Sequence, residues 1–415
     1  MDNAMSDRIS VRRAGRLCLL LICDEWSSTT GGITTFNRML ATALAGDGHR
    51  TLCLVRRASG REHVDAASSG VELVPAVMTP GGPELFLLPP EIAALAPDVV
   101  IGHDLVTGSV SWIYAKHYFP GARLVHIVHT SYAQNEPYKR PDAAWPRTEA
   151  SERQTRRIAA DADVIAAVGP LLTRRLDGIV GDGFGGTKVV QLDPGMTVPD
   201  EFPLRRRSVP VNRTVAVFAR ARHPVPKGLD IAAQAIKGAV VPPGVPKPDL
   251  LIRGAGAGQC DELRETFVQS YGLSRDRIDV RPFTDDKEEM ARDLRRAALC
   301  VMPSRVEGFG LAALEAIGFG TPVLVSGRSG LAETLRLVIG PGAEPLIVDV
   351  NDDDQDVDRW KTAIQRVFAD LPAEFAHIHE IREKLSSVLT WQNTARRLIA
   401  SVAPAGGSVT LPVNV

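Results

Sequence analysis

Extremes of composition are missing from this sequence. Its 415 residues include 48 Lys and Arg against 49 Asp and Glu, a formal net charge of -1, and only 5% are aromatic. This balance excludes a protein that binds nucleic acid by bulk electrostatic attraction. The apolar fraction of 44% is ordinary for a globular chain, and the length predicts two or three domains.

Cysteine is scarce, with five in the whole chain. No two of them form a CxxC pair, and no His lies at zinc-ligand spacing. Most lie in or beside apolar runs, where a free Cys packs as a small core residue. The pattern indicates a reducing compartment, and we predict a cytoplasmic location.

Long apolar runs are absent too. The run Leu17–Cys23 stops at Asp24 and is too short to span a bilayer, and no small-residue cleavage site follows it. The sequence therefore carries no strong membrane signal. Residues 1–16 are polar and basic and are predicted to form an N-terminal tail. The sequence gives no prediction of oligomeric state.

The sequence does contain a repeated alternation of short apolar runs with helical patterns, which predicts βαβ units around parallel sheets. A Pro-rich, charged stretch at Asp200–Asn212 interrupts it and is predicted to be a linker and hinge. The predicted strands are Leu17–Cys23, Thr51–Val55, Val99–Ile101, Leu124–Val128 and Val164–Val168, then Val215–Ala219, Leu250–Ile252, Ile278–Val280, Leu299–Met302 and Pro322–Val325. The predicted helices are Thr34–Ala45, Ser151–Ala160, Asp230–Ile236, Asp261–Ser270, Lys287–Ala298 and Leu311–Phe319.

The fold class is therefore α/β, with two Rossmann-like, doubly wound domains that face a central cleft. Ligands of open α/β sheets bind at the carboxyl ends of the strands. This favours a small-molecule enzyme, although the fold class alone does not assign a reaction.

The segment Pro303–Glu333 (PSRVEGFGLAALEAIGFGTPVLVSGRSGLAE) is the most informative. A predicted strand leads into a loop that carries Glu307, followed by a helix that carries Glu315. Helical side chains lean toward the helix N-terminus, so both carboxylates can face one cleft. The glycines beside the start of the helix expose backbone amides, which suits an anion.

These residues resemble the signature of GT4-type retaining glycosyltransferases of the GT-B fold. Further stretches are similar to that family: the opening Gly-Gly loop and helix, a motif ending in Lys-Gly, a glycine turn, and a last helix that crosses back to the first domain. They are Thr30–Gly48, Ala221–Gly228, Leu251–Gly256 and Thr390–Ala400. The resemblance implies an acceptor domain at residues 17–205, a donor domain at residues 206–389, and a helix at residues 390–403 that packs on the first domain.

The resemblance also implies roles for individual residues. Arg222 and Lys227 would hold the donor diphosphate, Glu315 the ribose hydroxyls, and Glu307 the transferred sugar. The residues with an implied catalytic role are Glu307, His129, Lys227 and Arg222. The implied donor-binding set is completed by Gly31, Gly32, Gly254, Arg281, Phe283, Phe309, Gly310 and Leu311.

Acceptor contacts are assigned to the carboxyl ends of two predicted strands, at His103 and His129, and to Ser131 and Tyr132 just beyond. The acidic run at Asp352–Asp354 adjoins no predicted strand or glycine loop, and we interpret it as a solvated linker rather than a metal site. No metal and no other cofactor are expected, since GT-B enzymes generally need none.

The predicted function is transfer of a sugar from a nucleoside-diphosphate sugar, with UDP chosen from family frequency, to a hydroxyl of a soluble sugar or small molecule. Alternatives are a sugar phosphorylase or nucleotide-sugar epimerase on the same frame, or a non-catalytic nucleotide-binding module. No nucleic acid partner is expected.

Overall fold

The computed structural model describes residues 15–27, 31–139, 141–181, 189–199, 207–220, 224–240 and 247–402. Within them lie two parallel sheets and a short antiparallel hairpin. The two-domain α/β prediction is confirmed.

The first sheet has seven parallel strands in the order β3-β2-β1-β6-β7-β8-β9. Its interior strands read as near-continuous Leu, Ile and Val because helices cover both faces. The strands are β1 Cys18–Ile22, β2 Arg50–Val55, β3 Val71–Pro75, β6 Val99–His103, β7 Arg123–Val128, β8 Val164–Val168 and β9 Val190–Leu192, with β4 Val77–Thr79 and β5 Gly82–Glu84 forming the hairpin.

The second sheet has six parallel strands in the order β12-β11-β10-β13-β14-β15. Counted from its first strand, this is the 3-2-1-4-5-6 order of dinucleotide-binding folds. The strands are β10 Thr214–Phe218, β11 Asp249–Ala255, β12 Ile278–Pro282, β13 Ala297–Met302, β14 Val323–Ser326 and β15 Ile347–Val348.

Helices connect the strands and cover the sheets. In the first half they are α1 Gly32–Gly46, α2 Gly60–Ser68, α3 Pro90–Ala93, α4 Val106–Ile113, α5 Tyr132–Lys139, α6 Ala144–Asp161 and α7 Gly169–Val180. In the second half they are α8 Leu229–Gly238, α9 Cys260–Tyr271, α10 Lys287–Arg296, α11 Leu311–Gly318, α12 Gly330–Ile339, α13 Asp356–Ala369, α14 Leu371–Val388 and α15 Trp391–Val402. No helix in these described stretches is long and apolar enough to span a membrane.

One predicted helix includes residues that belong to a strand in the structure. The helical pattern over Lys287–Ala298 ends at Arg296, and Ala297 already begins β13. Both alanines are fully buried, and Ala297 pairs with Thr214 of β10. Sheet pairing therefore overrides the helix preference of alanine at this point.

The last helix lies against the first half of the chain. The Trp391 ring packs edge-on against Phe36 of α1, with ring centroids 5.3 Å apart. The Thr394 hydroxyl donates to the Asp193 carbonyl, and Arg396 pairs with Asp47. The predicted domain limits stay a prediction, because residues 200–206, which include the boundary and part of the hinge, lie outside the described residues.

Candidate active site

The carboxyl ends of the two sheets meet across a narrow cleft. A Cβ atom added to Gly308 would lie 2.5 Å from the His129 carbonyl oxygen, and one added to Gly169 would lie 2.5 Å from the Phe309 ring. A Cβ atom added to Gly32 would lie 3.1 Å from Leu311 Cδ1. The absence of a side chain at Gly308 and Gly169 permits the two closest approaches, and the structure therefore describes a closed arrangement of the two halves.

An ion pair joins the loop between β13 and α11 to the turn before α8. The Lys227 ammonium lies 2.8 Å from Glu307 Oε2, and the Ser304 hydroxyl donates to the same oxygen at 3.2 Å. The Lys227 side chain is 30% exposed and that of Glu307 is 18% exposed. A ligand can therefore reach both groups, which the sequence placed in one site.

Backbone amides line the start of α11. Gly310 has φ of 110°, and its carbonyl accepts hydrogen bonds from the amides of Ala313 and Leu314. The amides just before these belong to the first helical turn, which has no intrahelical acceptor, and point out of the helix. The Phe309 side chain is 4% exposed and belongs to the core, so Phe309 can serve a ligand only through its backbone.

Arg220 faces the Gly31–Gly32 turn. A Cβ added to Gly31 would collide with the Arg220 guanidinium, which lies against this turn from the other half of the molecule. Arg222, predicted to hold the diphosphate, lies outside the described residues. Among the described residues, Arg220 therefore supplies the guanidinium at this turn. The sequence had indicated no role for Arg220.

Glu315 lies in the first turns of α11. Burial raises the pKa of Glu315 to about 7, and the positive charge of Arg38 on α1 opposes this increase. Arg38 belongs to the first half and Glu315 to the second. This electrostatic contact across the cleft is not evident from the sequence.

Three polar side chains form a hydrogen-bonded chain in the first half. Asn37 Nδ2 points at Cys53 Sγ (3.3 Å), and Asn37 Oδ1 lies 2.9 Å from His103 Nε2. In this orientation His103 Nε2 donates to Asn37, so His103 Nδ1 accepts from His129 Nε2 at 2.9 Å. The chain leaves the lone pair of His129 on Nδ1.

Burial keeps these imidazoles neutral. It lowers the pKa of His103 to about 3, with a further contribution from His126. Burial also lowers the pKa of His129 well below its ordinary value, and the neighbouring His103 and His126 add to this decrease. At neutral pH, His129 is therefore a neutral hydrogen-bonding group rather than a cation.

Asp104 fixes the position of His129. Its φ of 44° is in the left-handed region, and its carboxylate accepts a hydrogen bond from the His129 amide at 2.7 Å. Burial and the charge of Asp104 raise the pKa of Tyr132. Tyr132 begins α5, and Ser131 immediately precedes it. His103 and His129 thus lie side by side at the carboxyl ends of β6 and β7, and Tyr132 lies near Asp104.

Two residues of the implied donor-binding set, Arg281 and Phe283, have structural partners. The Arg281 guanidinium is held by Asp279 and by the fully buried Asp293, so contact with a donor would require these ion pairs to open. Phe283 is half-buried, and its amide donates to the Ala255 carbonyl at 2.9 Å. Gly254 packs closely against the Ala219 carbonyl, at the ends of adjoining strands. Among the described residues, no group of three or more His, Cys, Asp or Glu side chains could hold a metal ion.

Sequence reasoning missed Asn37, Arg38, Asp104 and Arg220. Asn37 and Arg38 lie on α1, where periodicity predicts only which face is buried. Asp104 directly follows His103, and that adjacency was the one available signal. Whether the predicted site residues act in binding or catalysis stays a prediction.

Comparison with known proteins gives the chain its family. A model of family 4 glycosyltransferases in conflict systems matches residues 20–398. The D-inositol 3-phosphate glycosyltransferase of Acidothermus cellulolyticus is 28% identical over 274 residues, which cover 61% of this chain and 57% of the relative. That of Mycolicibacterium smegmatis is 27% identical over 318 residues, which cover 74% of this chain and 67% of the relative. The chain thus spans little more than half the length of the Acidothermus relative.

Solved structures agree on the fold. Sucrose-phosphate synthase from Thermosynechococcus elongatus superposes with a TM-score of 0.69 at 21% identity, covering 93% of this chain and 98% of that one. Anabaena HepE in complex with UDP and glucose gives a TM-score of 0.68 at 16% identity, covering 93% and 99%. The family model matches most of the chain, residues 20–398, and this range includes every candidate site residue. The chain therefore belongs to the family 4 glycosyltransferases of the GT-B fold, in the group found in conflict systems.

Proposed function

We propose that this glycosyltransferase moves a sugar from a nucleoside-diphosphate sugar to a hydroxyl of a small, soluble acceptor, with retention of anomeric configuration and without a bound metal ion. The observation that carries the proposal is the Lys227–Glu307 pair, 2.8 Å apart in the cleft. The Arg220 guanidinium and the start of α11, at Leu311, both lie against the Gly31–Gly32 turn of the other half. The positively charged Lys227 and Arg220 suit a diphosphate, and the Glu307 carboxylate suits the hydroxyls of the sugar joined to it.

The chemistry divides between these groups. When the bond from the anomeric carbon to the phosphate oxygen breaks, negative charge develops on the leaving diphosphate. Lys227, Arg220 and the α11 amides stabilise that charge, because preorganised donors act most strongly where charge develops. Glu307 exchanges Lys227 for hydroxyls of the transferred sugar as the donor enters.

The acceptor hydroxyl attacks from the face that the diphosphate leaves. A bond forms between the acceptor oxygen and the anomeric carbon, the bond from that carbon to the phosphate oxygen breaks, and the acceptor proton moves to the leaving phosphate. The positively charged sugar carbon resembles that of other glycosyl transfers. Neutral His129 accepts a hydrogen bond at Nδ1 from a sugar hydroxyl and thereby orients it.

UDP is the proposed nucleotide. The HepE structure that shares this fold contains UDP and glucose, which supports this choice. The relatives' names indicate a polyol phosphate acceptor in those proteins, which supports a hydroxyl-rich small molecule here. The family match favours transfer over the phosphorylase, epimerase and non-catalytic alternatives.

A thermal-shift panel with UDP, GDP, ADP, CDP, TDP and inorganic phosphate tests the donor site. A ligand that binds only the folded state raises the melting temperature, and we expect UDP to do so most. In Lys227→Gln and Arg220→Gln, UDP binding should weaken roughly tenfold or more, because each loses a charged hydrogen bond. Arg222→Gln, measured in the same way, shows how much Arg222 contributes to UDP binding.

Arg296→Gln, an exposed position on α10, is the matched control and should bind UDP as the wild type does. Stabilisation by phosphate alone, or sugar release that depends on orthophosphate, would support the phosphorylase alternative. Isomerised sugar without an acceptor would support the epimerase. UDP binding without transfer across a broad acceptor panel would support the non-catalytic module.

A further inference from the structure

Asp352, in the acidic run after β15, connects the two halves of the molecule. The run is an exposed loop, as predicted, but the Asp352 carboxylate makes three contacts that the sequence did not indicate. It lies 3.1 Å from Arg305 Nε and 2.5 Å from Arg328 Nη1, and it accepts a hydrogen bond from the Tyr138 hydroxyl at 2.8 Å. Tyr138 belongs to the first half of the molecule and Asp352 to the second.

The backbone around Asp352 is held in place before any ligand binds. Asp352 has φ of 60°, a conformation that non-glycine residues seldom adopt. The amides of Asn351 and Asp352 each donate to the Asp356 carboxylate at 2.9 Å. Asp356 is buried at the start of α13, so the loop that presents Asp352 is anchored to the core of the second half.

On the other side of the cleft, Tyr138 ends a segment that begins beside the candidate acceptor residues. We call Ser131–Tyr138 the acceptor segment. Its Glu136 is 3% exposed and lies 2.6 Å from Arg147 of α6. Glu136 therefore holds the segment against α6 of the first half, and Tyr138 holds it against the second half.

Arg305 connects Asp352 to the loop between β13 and α11, which carries Glu307. Its guanidinium contacts both carboxylate oxygens of Asp230, at 2.7 and 2.8 Å, and donates to the Val225 carbonyl at 2.8 Å. Its backbone amide donates to the Pro226 carbonyl at 2.9 Å. Arg305 thus binds the residues just before Lys227 and lies two positions before Glu307.

We propose that Asp352 is a positioning residue that couples closure of the acceptor segment over the cleft to the placement of the Lys227–Glu307 pair. Through Tyr138 it holds the segment against the second half, and through Arg305 it holds the loops that carry the pair. A closed segment excludes water, so the transferred sugar passes to the acceptor rather than to water. This enzymatic consequence rests on the proposed function, whereas the closure itself does not.

The test uses Tyr138→Phe, Asp352→Gly and, as the matched control, Asp354→Gly in the same exposed loop. Glycine removes the hydrogen-bond acceptor and adopts the positive φ of Asp352 without strain. Hydrogen exchange of the acceptor-segment amides is measured in the full chain without substrate. We expect exchange to accelerate roughly fivefold in Tyr138→Phe, the effect of one lost hydrogen bond, and at least as much in Asp352→Gly. Exchange in Asp354→Gly should match the wild type.

The enzymatic arm uses UDP-glucose as donor and D-inositol 3-phosphate as acceptor probe. Tyr138→Phe should raise the ratio of donor hydrolysis to transfer and the KM of the acceptor probe, with the KM of UDP-glucose unchanged. Asp352→Gly should also lower kcat, because Arg305 loses a partner. The double variant should be no worse than Asp352→Gly alone, since both changes break the hydrogen bond between Tyr138 and Asp352.

Unchanged exchange in Tyr138→Phe would overturn the proposal, because this change leaves every charge in place and does not endanger folding. Additive effects in the double variant would also contradict it. If the wild type turns over no nucleotide sugar, the proposed function fails, and the exchange experiment still decides whether Asp352 closes the segment.

Discussion

The two carboxylates Glu307 and Glu315 of the second half lie eight positions apart but differ in environment. Glu307 contacts Lys227 directly at 2.8 Å, whereas burial raises the pKa of Glu315 to about 7. Without a ligand, ionised Glu315 is therefore a cost to the folded state. Hydrogen bonds from ribose hydroxyls to the carboxylate would offset this cost, which suits a group that binds a donor.

Replacement of Glu315 by Gln should stabilise the unliganded protein in a pH-dependent way. The unfolded chain releases this proton near the ordinary glutamate pKa, whereas the folded protein keeps it until about pH 7. Wild-type stability therefore decreases between these values as pH rises, and the variant lacks this decrease. Relative to wild type, Glu315→Gln should melt at a similar temperature at pH 4.5 and ~2–4 °C or more higher at pH 8.

Differential scanning fluorimetry at both pH values measures this difference. The exposed Glu380→Gln on α14 is the control and should follow the wild type at each pH. An equal shift for Glu315→Gln at pH 4.5 and pH 8 would show that Glu315 ionises normally. UDP should protect the variant less than the wild type, whatever the pH.

At the scale of elements, the loop before α11 determines how closely the two halves approach. The Gly330 amide donates to the Gly308 carbonyl at 3.1 Å, and the Leu331 amide donates to the Phe309 carbonyl at 2.8 Å. These bonds join the loop to α12 within its own half. Its other side lies against His129 and Leu172 of the first half.

Gly308→Ala should therefore separate the halves without unfolding either one. The added methyl group would meet the His129 carbonyl oxygen at 2.5 Å, and a backbone oxygen cannot move away as a flexible side chain can. A displacement of about 1 Å at this loop should lower kcat roughly 100-fold. Steady-state kinetics and the radius of gyration from X-ray scattering measure the two effects.

Gly178→Ala, on α7, is the matched control, because its added methyl group would meet no atom within 4 Å. Both variants should retain cooperative melting. Wild-type kcat in Gly308→Ala would show that the close approach to His129 is not needed for turnover.

At the scale of the whole molecule, helix α15 packs against α1 and β7 of the first half. Trp391 is 7% exposed and packs on Phe36, whose ring lies 5.0 Å from the His129 ring. The Arg123 guanidinium at the start of β7 also binds the Val402 carbonyl. Residues from the end of the sequence therefore complete the core under the candidate acceptor site.

Trp391→Ala should destabilise the protein by about 3–5 kcal/mol, the usual cost of a large aromatic side chain removed from a core. Urea unfolding followed by circular dichroism measures the change. Trp145→Ala is the control, because Trp145 is 78% exposed and should change stability by no more than about 0.5 kcal/mol. Equal unfolding midpoints for the two variants would contradict the role assigned to α15.

The sequence by itself determined five strands of each parallel sheet, six of the helices that alternate with them, and the placing of Glu307 on a loop and Glu315 on the helix that follows it. These follow from local patterns: apolar runs, helical periodicity and glycines next to acidic residues. Only the tertiary structure decided that Lys227 pairs with Glu307, that Arg220 faces Gly31, that Asn37 is bonded to His103, and that Asp352 meets Tyr138. Each of these contacts joins residues that are far apart in the chain, and their meeting depends on strand order and on how two halves close. A sequence pattern shows only which residues share a face of one helix or strand. It cannot show which distant helix or strand that face will contact.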